Sequence, residues 1–538
     1  IHKLVKIKAL LCFNFFSIYS IQFMINLFKN WKKDLPASLV VYLVALPLCL
    51  GIALASTGDS TRLFSGIIAG VVGGVIVGFI SGARLGVSGP AAGLITIVSG
   101  AIATIGSFEG FLVALVLSGV IQLIASYLKA GVIGYYFPSS VIKGMLAAIG
   151  ITLILKEIPH ALGYDADFMG DDAFFQSDQH NTISELFYAL KALSPGAIII
   201  SLLSIVILLL FDRPFMKKFG LFKLLPGALF VVLLGVGLNE MYKIYMPSYY
   251  LSNEHLVNLP VSESFKEFTS FFIFPDFSFL TNKDVYIVAL TIALVGSLET
   301  LLSVEAIDKL DPDKYVTPKN RELAAQGVGN IVSGLLGGLP VTQVIVRSSA
   351  NVTSGGKSKL SAIIHGFLLL ITVVFIPFYL NLIPLASLSA ILLMVGYKLS
   401  KIGLYKQMYK LGIGQFLPFI ITILAVLFTD LLKGIMIGIF IAIFFILKRN
   451  HSNAYKKVDQ RNEGGIIRII LSEQITFINK GAISDLLLKL PNNSNVELDG
   501  RKCREVDYDV QELIQDFKNH EAIKRDIKLS ILGIPSLN

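Results

Sequence analysis

Ser88-Gly89-Pro90-Ala91-Ala92-Gly93 and Gly338-Leu339-Pro340-Val341-Thr342-Gln343 are short polar stretches, broken by glycine and proline, inside otherwise apolar sequence. Each precedes a helical run too short to cross a bilayer comfortably, since a span needs about 20 apolar residues. They occupy corresponding places in the two halves of the chain. Interrupted helices at matching positions of two halves are the sequence mark of a binding site near the membrane midplane. Helix starts at such a site carry free N–H groups and the positive end of the dipole, which favour an anion. The pair therefore points to a secondary transporter for a small anion. Read singly, each stretch is a kink or packing contact, as Gly70, Gly73, Gly74 and Gly78 are expected to be.

The surrounding sequence fits a membrane setting. Of 538 residues, 54% are hydrophobic and 15% charged, with mean hydropathy +0.72. Soluble domains carry about 25% charged residues. Fourteen apolar segments lie near 35–55, 63–82, 88–105, 108–128, 132–155, 194–211, 223–243, 285–304, 323–337, 343–352, 359–380, 384–398, 413–430 and 431–448. The alternating short segments of a membrane β-barrel are absent. Seven plus seven makes the two interruptions the third segment of each half, and an odd number per half inverts the second half.

Loop charge agrees with an even number of crossings. Lys29, Lys32, Lys33, Arg84, Lys129, Arg213, Lys314, Lys319, Arg321, Lys357, Lys359, Lys398, Lys401, Lys406, Lys448 and Arg449 fall in alternate connections. A long acidic connection with Asp165, Asp167, Asp171, Asp172 and Asp178 falls on the other side. The positive-inside bias then places both termini in the cytoplasm. The net charge of +9 belongs wholly to this part, because residues 456–538 hold thirteen basic and thirteen acidic side chains. A nucleic-acid partner is not implied. Cys12, Cys49 and Cys503 form no disulfide or metal pattern, and no cofactor motif is present.

Residues 1–23 carry Lys3, Lys6 and Lys8 before an apolar run, without a small-residue cleavage site, and Met24 is a plausible start. Residues 1–30 are therefore set apart as an N-terminal extension, and 31–449 as the transmembrane domain. From 456 to 538 the composition changes. Strands are expected at 466–471, 496–498 and 527–532, alternating with helices at 480–490 and 508–519. That order indicates a small α/β domain with a mostly parallel sheet.

These features together resemble the sulfate permease (SulP) family of anion transporters. The resemblance rests on the Pro47 region, Ser88 to Gly93, Gly296-Ser297-Leu298-Glu299-Thr300-Leu301-Leu302-Ser303, and Arg321-Glu322-Leu323 with Gln326-Gly327-Val328-Gly329-Asn330. Gly338-Leu339-Pro340 leading to Arg347 and Gly355-Gly356-Lys357 completes it. The final domain resembles a STAS domain. The resemblance implies a polytopic α-helical fold of fourteen spans in 7+7 inverted repeats, with core and gate bundles and a homodimer. It also implies a bacterial inner-membrane location among lipid, a bicarbonate or sulfate substrate and elevator-type alternating access.

Glu299 stands among apolar and small neighbours, and a carboxylate at membrane depth is a functional candidate by default. Ser303 follows at i+4 on the same face. In related transporters the matching acid holds sodium or a proton, so Glu299 and Ser303 are the candidate coupling site and Na+ the only candidate metal. Substrate contacts are expected from Tyr42, from Ser88, Gly89, Pro90, Ala91, Ala92 and Gly93, and from Thr342, Gln343, Val344, Ile345 and Arg347. The Arg347 guanidinium suits an oxyanion or, in an empty site, Glu299. Glu305 reads as solvated, and His160, His180, His255 and His365 as structural. Asp507 and Asp509 read as helix-capping acids.

Competing readings are a nucleobase-type permease of the same fold, a dicarboxylate transporter, and a membrane-tethered regulator acting through its STAS-like domain. An enzyme is not expected, since no paired acid–base or metal constellation lies within the apolar part.

Overall fold

Long apolar runs without water to satisfy their backbone have helix as their available solution, and each of the fourteen apolar segments contains helix among its described residues. The computed structural model describes residues 28–166, 169, 174, 181–213, 226–259, 261, 269–452, 454–458 and 465–534. The 1–23 segment, Met24, His180 and the acids Asp167, Asp171, Asp172 and Asp178 lie outside them.

The helices that matter below are α1 (Trp31–Thr57), α2 (Leu63–Ile80), α3 (Ile95–Ile105), α4 (Phe108–Tyr127), α5 (Ser139–Leu162) and α6 (Thr182–Ala189). They continue as α7 (Pro195–Phe211), α8 (Gly227–Tyr245), α9 (Lys283–Leu310), α10 (Lys319–Leu336), α11 (Ile345–Thr353) and α12 (Leu360–Phe375). The apolar part closes with α13 (Leu385–Leu399), α14 (Ile402–Lys410), α15 (Ile413–Phe428) and α16 (Leu431–Ser452). Among the described residues, seven helices, including α1, α2, α4, α8 and α9, are long and apolar enough to cross a membrane. Four shorter apolar ones, Ala92–Ile105, Pro195–Phe211, Leu360–Phe375 and Ile413–Phe428, accompany them.

Two glycine pairs mark close helix contacts. A Cβ on Gly119 of α4 would lie 2.5 Å from the Gly327 carbonyl oxygen of α10, and one on Gly327 would lie 2.8 Å from that of Gly119. Gly150 of α5 and Gly396 of α13 meet in the same way, at 2.7 and 2.6 Å. Apolar side chains gain little by leaving lipid, so backbone approach through small residues supplies the packing energy.

Asp34, in the first turn of α1, is fully buried. Its carboxylate accepts the Lys357 and Ser358 N–H groups at 2.6 and 2.9 Å and the Ser358 hydroxyl at 2.6 Å. Bonds to a buried charge are worth about 1.5–3 kcal/mol each. Asp34→Ala is expected to cost about 3 kcal/mol, read as an earlier thermal unfolding of the purified protein, with Asp34→Asn losing less.

A second carboxylate ties loops together. Asp165, after α5, accepts from His160 Nδ1 through Oδ1 and from His255 Nδ1 through Oδ2, both at 2.6 Å. The His255 segment bonds onward, with the Val257 N–H donating to the Ile383 carbonyl at 3.0 Å. Burial opposes the charge on Asp165, but the two imidazoles outweigh it and hold the carboxyl below 3.8. The Asp165 hydrogen bond raises His255 above 6.5 against its partial burial, and nearby Glu254 adds to the rise. The Asp165 contribution is present above its ordinary value and lost as pH falls; that of His255 is present below 6.5 and lost as pH rises. The clasp is therefore tightest between about pH 4 and 6.5. Hydrogen exchange at residues 251–257, corrected for intrinsic rate, is expected to be slower at pH 6 than at pH 9. Asp165→Asn should erase the difference.

Two compact units divide the chain: Ile1–Leu411 with Pro418–Gly438, and Gly412–Leu417 with Ile439–Asn538. The second holds a four-stranded sheet in the order β3 (Tyr455–Val458), β4 (Ile466–Leu471), β5 (Asn495–Asp499), β6 (Lys528–Leu532). The pairs β4–β5 and β5–β6 are parallel, and β3 runs antiparallel to β4. Helices α17 (Lys480–Leu488) and α18 (Tyr508–Asp516) bury Ile483, Leu487, Val510 and Ile514 with Ile469 and Leu498. The edge strand β3 was not expected, because Tyr455-Lys456-Lys457-Val458 lacks an apolar face. The Asp507 side chain caps α18 by accepting the Asp509 N–H at 3.0 Å.

Candidate functional site

Proline and glycine keep residues 88–90 and 341–343 out of helix, leaving backbone groups that need partners at depth. They find them in each other. Strand β1 (Ser88–Pro90) pairs antiparallel with β2 (Val341–Gln343), in the register Ser88 to Gln343, Gly89 to Thr342 and Pro90 to Val341. The two interruptions read from the sequence are thus one element. A 3₁₀ turn (Ala92–Leu94) and α3 follow β1, while α11 follows β2. No side chain caps any of these starts; the Leu94 and Ile95 N–H groups bond to the Ala91 and Ala92 carbonyls, and the earliest amides are left for another acceptor.

A cavity of about 250 Å³ opens beside these starts. Pro90, Ala92 and Gly93 line it from the first half, and Val344, Ile345 and Arg347 from the second. Glu299 and Ser303 of α9 share the same cavity. A Cβ on Gly93 would sit 3.1 Å from Glu299 Oε1, a tight contact that glycine avoids. The facing wall is α1, α5 and the α15–α16 turn, with Ile52, Thr152, Asp430 and Lys433.

The other expected contact residues stand behind this lining. Tyr42 donates its hydroxyl to Thr372 Oγ1 at 2.9 Å, binding α1 to α12. Ser88, Gly89, Ala91, Thr342 and Gln343 form the strands and their exit, outside the lining. The Gln343 amide is buried against Gly86, with neither polar atom hydrogen-bonded among the described residues.

Arg347 lines the cavity, yet its guanidinium reaches behind β1. A Cβ on Gly89 would fall 2.2 Å from Nη1, and Cys49 also neighbours the group. Neither Arg347 Nη atom has a hydrogen-bond partner among the described residues, so the expected pairing with Glu299 is not made through them in this conformation. The physical reason is direction: β2 and the first turn of α11 turn the side chain toward Gly70 and Gly89, where small residues leave room for it. Its charge, buried and 1% exposed, adds positive potential behind the helix starts.

One smaller expectation changes. Glu305 is paired with Lys319 at 2.9 Å and Lys309 at 3.6 Å rather than merely solvated. His365 is fully buried and hydrogen-bonded to the Ala362 carbonyl, a structural place. Sequence reasoning overlooked Thr152, Asp430 and Lys433. The signal for the last two was the charged break Thr429-Asp430 inside a long apolar run.

The sequence profile of the Sulfate permease family matches residues 31–422. The Bacillus subtilis (strain 168) protein "Putative sulfate transporter YvdB" is 28% identical over 426 residues, 78% of this chain and 74% of its own. The "Bicarbonate transporter BicA" of Picosynechococcus sp. (strain ATCC 27264 / PCC 7002 / PR-6) is 25% identical over 473 residues, 86% and 78% of the two chains. The overall structure of SLC26A9 shares the fold, at TM-score 0.65 and 15% identity over 94% of this chain and 84% of its own. The transmembrane domain of a cyanobacterial BicA does so at TM-score 0.51 and 22% identity, over 77% and 98%. The chain belongs to the sulfate permease family, a family of transporters and not of enzymes.

Proposed function

We propose that this protein carries a small inorganic oxyanion, bicarbonate or sulfate, across the bacterial inner membrane by secondary transport. The observation that carries the reading is the β1–β2 ladder, which sets two uncapped helix starts beside one cavity that also holds Glu299. An anion there takes its hydrogen bonds from backbone amides and its compensating charge from the helix dipoles. Sulfate and bicarbonate are the ions named for the relatives.

In this reading fourteen segments cross the membrane as two inverted sets of seven, with both termini in the cytoplasm. The set bearing the ladder moves as an elevator against the wall of α5 and the α15–α16 turn. Glu299 and Ser303 couple the movement to Na+ or H+. The second unit acts as a cytoplasmic STAS-like domain in a homodimer. The deciding experiment is uptake of labelled bicarbonate and sulfate into proteoliposomes, with and without a sodium gradient and with and without a pH gradient. Saturable uptake of one anion that grows with one gradient supports the reading. Absence of uptake of both anions under every gradient sinks it.

A further inference from the structure

Gln326 and Asn330 lie four residues apart and therefore on one face of α10. Both are buried, with at most 1% exposure. A buried carboxamide left without partners costs about 1–3 kcal/mol, so where these bonds go is informative. Asn330 brackets a single residue of β2: Oδ1 accepts the Val341 N–H at 2.6 Å, and Nδ2 donates to the Val341 carbonyl at 3.1 Å. That is the pattern a third strand would provide. It falls at one end of the ladder, where Val341 stands opposite Pro90.

Gln326 serves the other strand. Its Nε2 donates to Ser88 Oγ at 2.8 Å and to Glu322 Oε1 at 2.9 Å, and Glu322 also accepts from Ser81 Oγ at 2.5 Å. The two amides thus hold opposite corners of a three-residue ladder, Ser88 on β1 and Val341 on β2. Asn330 Nδ2 further donates to Gln122 Oε1 at 2.8 Å, and Gln122 Nε2 to Ser297 Oγ at 3.3 Å, two residues before Glu299. The ladder is fastened at once to α10, α4 and α9.

We propose that Gln326 and Asn330 are positioning residues for the anion: they fix the strands, and through them both helix starts, at the spacing that binds it. The proposal rests on reading the ladder as the anion cradle. The bland alternative is that the amides only hold α10 against its neighbours. Ser126 supplies a comparison, since its hydroxyl bonds α4 to the Asn320 carbonyl at 2.6 Å without touching the ladder.

Asn330→Asp keeps the acceptor for the Val341 N–H but loses both donated bonds, and Gln326→Met keeps length without polarity. In the reconstituted full chain, each is expected to raise the anion KM about tenfold with Vmax within about twofold of wild type. Ser126→Ala should leave KM unchanged. Asn330→Ser serves as a third variant should either near-isosteric change fold poorly. Hydrogen exchange at residues 341–343, measured on the purified protein with no anion present, separates this proposal from the transport reading. Faster exchange in Asn330→Asp, and not in Ser126→Ala, supports the positioning even if neither anion is carried. Unchanged exchange, or an unchanged KM in a folded variant, overturns it.

Discussion

Glu299→Gln is expected to lower gradient-driven anion accumulation by about 100-fold while leaving anion binding within a few-fold of wild type. Coupling free energies of about 1–3 kcal/mol correspond to roughly 5–150-fold, and a lost coupling site belongs at the upper end. The amide keeps the volume and most hydrogen-bonding capacity of the carboxylate, so the approach of Gly93, at 3.1 Å for a Cβ, is preserved. What disappears is the charge that a sodium ion or a proton would neutralise at membrane depth. Ser303, which shares the cavity, retains one oxygen for a cation but cannot compensate a unit charge. Binding is read as anion-dependent protection from thermal unfolding, and coupling as accumulation under imposed sodium and pH gradients. An unchanged response to both gradients would remove Glu299 from the coupling step. Equal loss of binding and accumulation would instead place it among the anion's own contacts.

The readable part of this molecule was its covalent punctuation. Pro90, Pro340 and the glycines around them interrupt apolar sequence in a way that no side-chain packing reverses, so the break in both helices was legible. So was Glu299, because an acid among apolar neighbours is conspicuous whatever its exact setting. Direction was not legible. Arg347 follows Gln343 by one helical turn, which suggests a shared face, but Gln343 lies in a strand and the period of 3.6 does not run through it. The guanidinium accordingly turns behind β1. The role of Asn330 was hidden for another reason: the Gln326 to Asn330 run gives a period, while its partner Val341 lies across a loop. The wall formed by Asp430 and Lys433 is likewise brought to the cavity only by tertiary folding. In the second unit the strands with apolar faces were found, and the polar edge strand β3 was not.

Gly73→Ala and Gly89→Ala separate the architecture of the ladder from its electrostatics, and their effects should differ in kind. Gly73 lies in a π-helical turn of α2 packed on β1, where an added Cβ would stand 2.3 Å from the Ser88 carbonyl oxygen and 2.4 Å from its carbon. Both are backbone atoms of a strand already fixed by its register, so nothing yields without displacing the ladder. Overpacking of this kind costs about 1–3 kcal/mol and sometimes more, and Gly73→Ala is expected at about 3 kcal/mol with uptake lost. An added Cβ on Gly89 meets instead Arg347 Nη1, at 2.2 Å. That atom ends a flexible side chain, and residue 89 precedes a proline, where an extended backbone suits alanine. Gly89→Ala should therefore cost less than about 1 kcal/mol in stability, yet push the guanidinium away and raise the anion KM about tenfold. Adding Arg347→Met to Gly89→Ala should give no further rise, because the charge has already left its place. Thermal unfolding and saturation of uptake, measured on the same preparations, decide the matter. If Gly89→Ala leaves KM unchanged, the placement of the Arg347 charge plays no part in holding the anion; if the two changes add in full, Gly89→Ala acts by a route other than displacing the guanidinium.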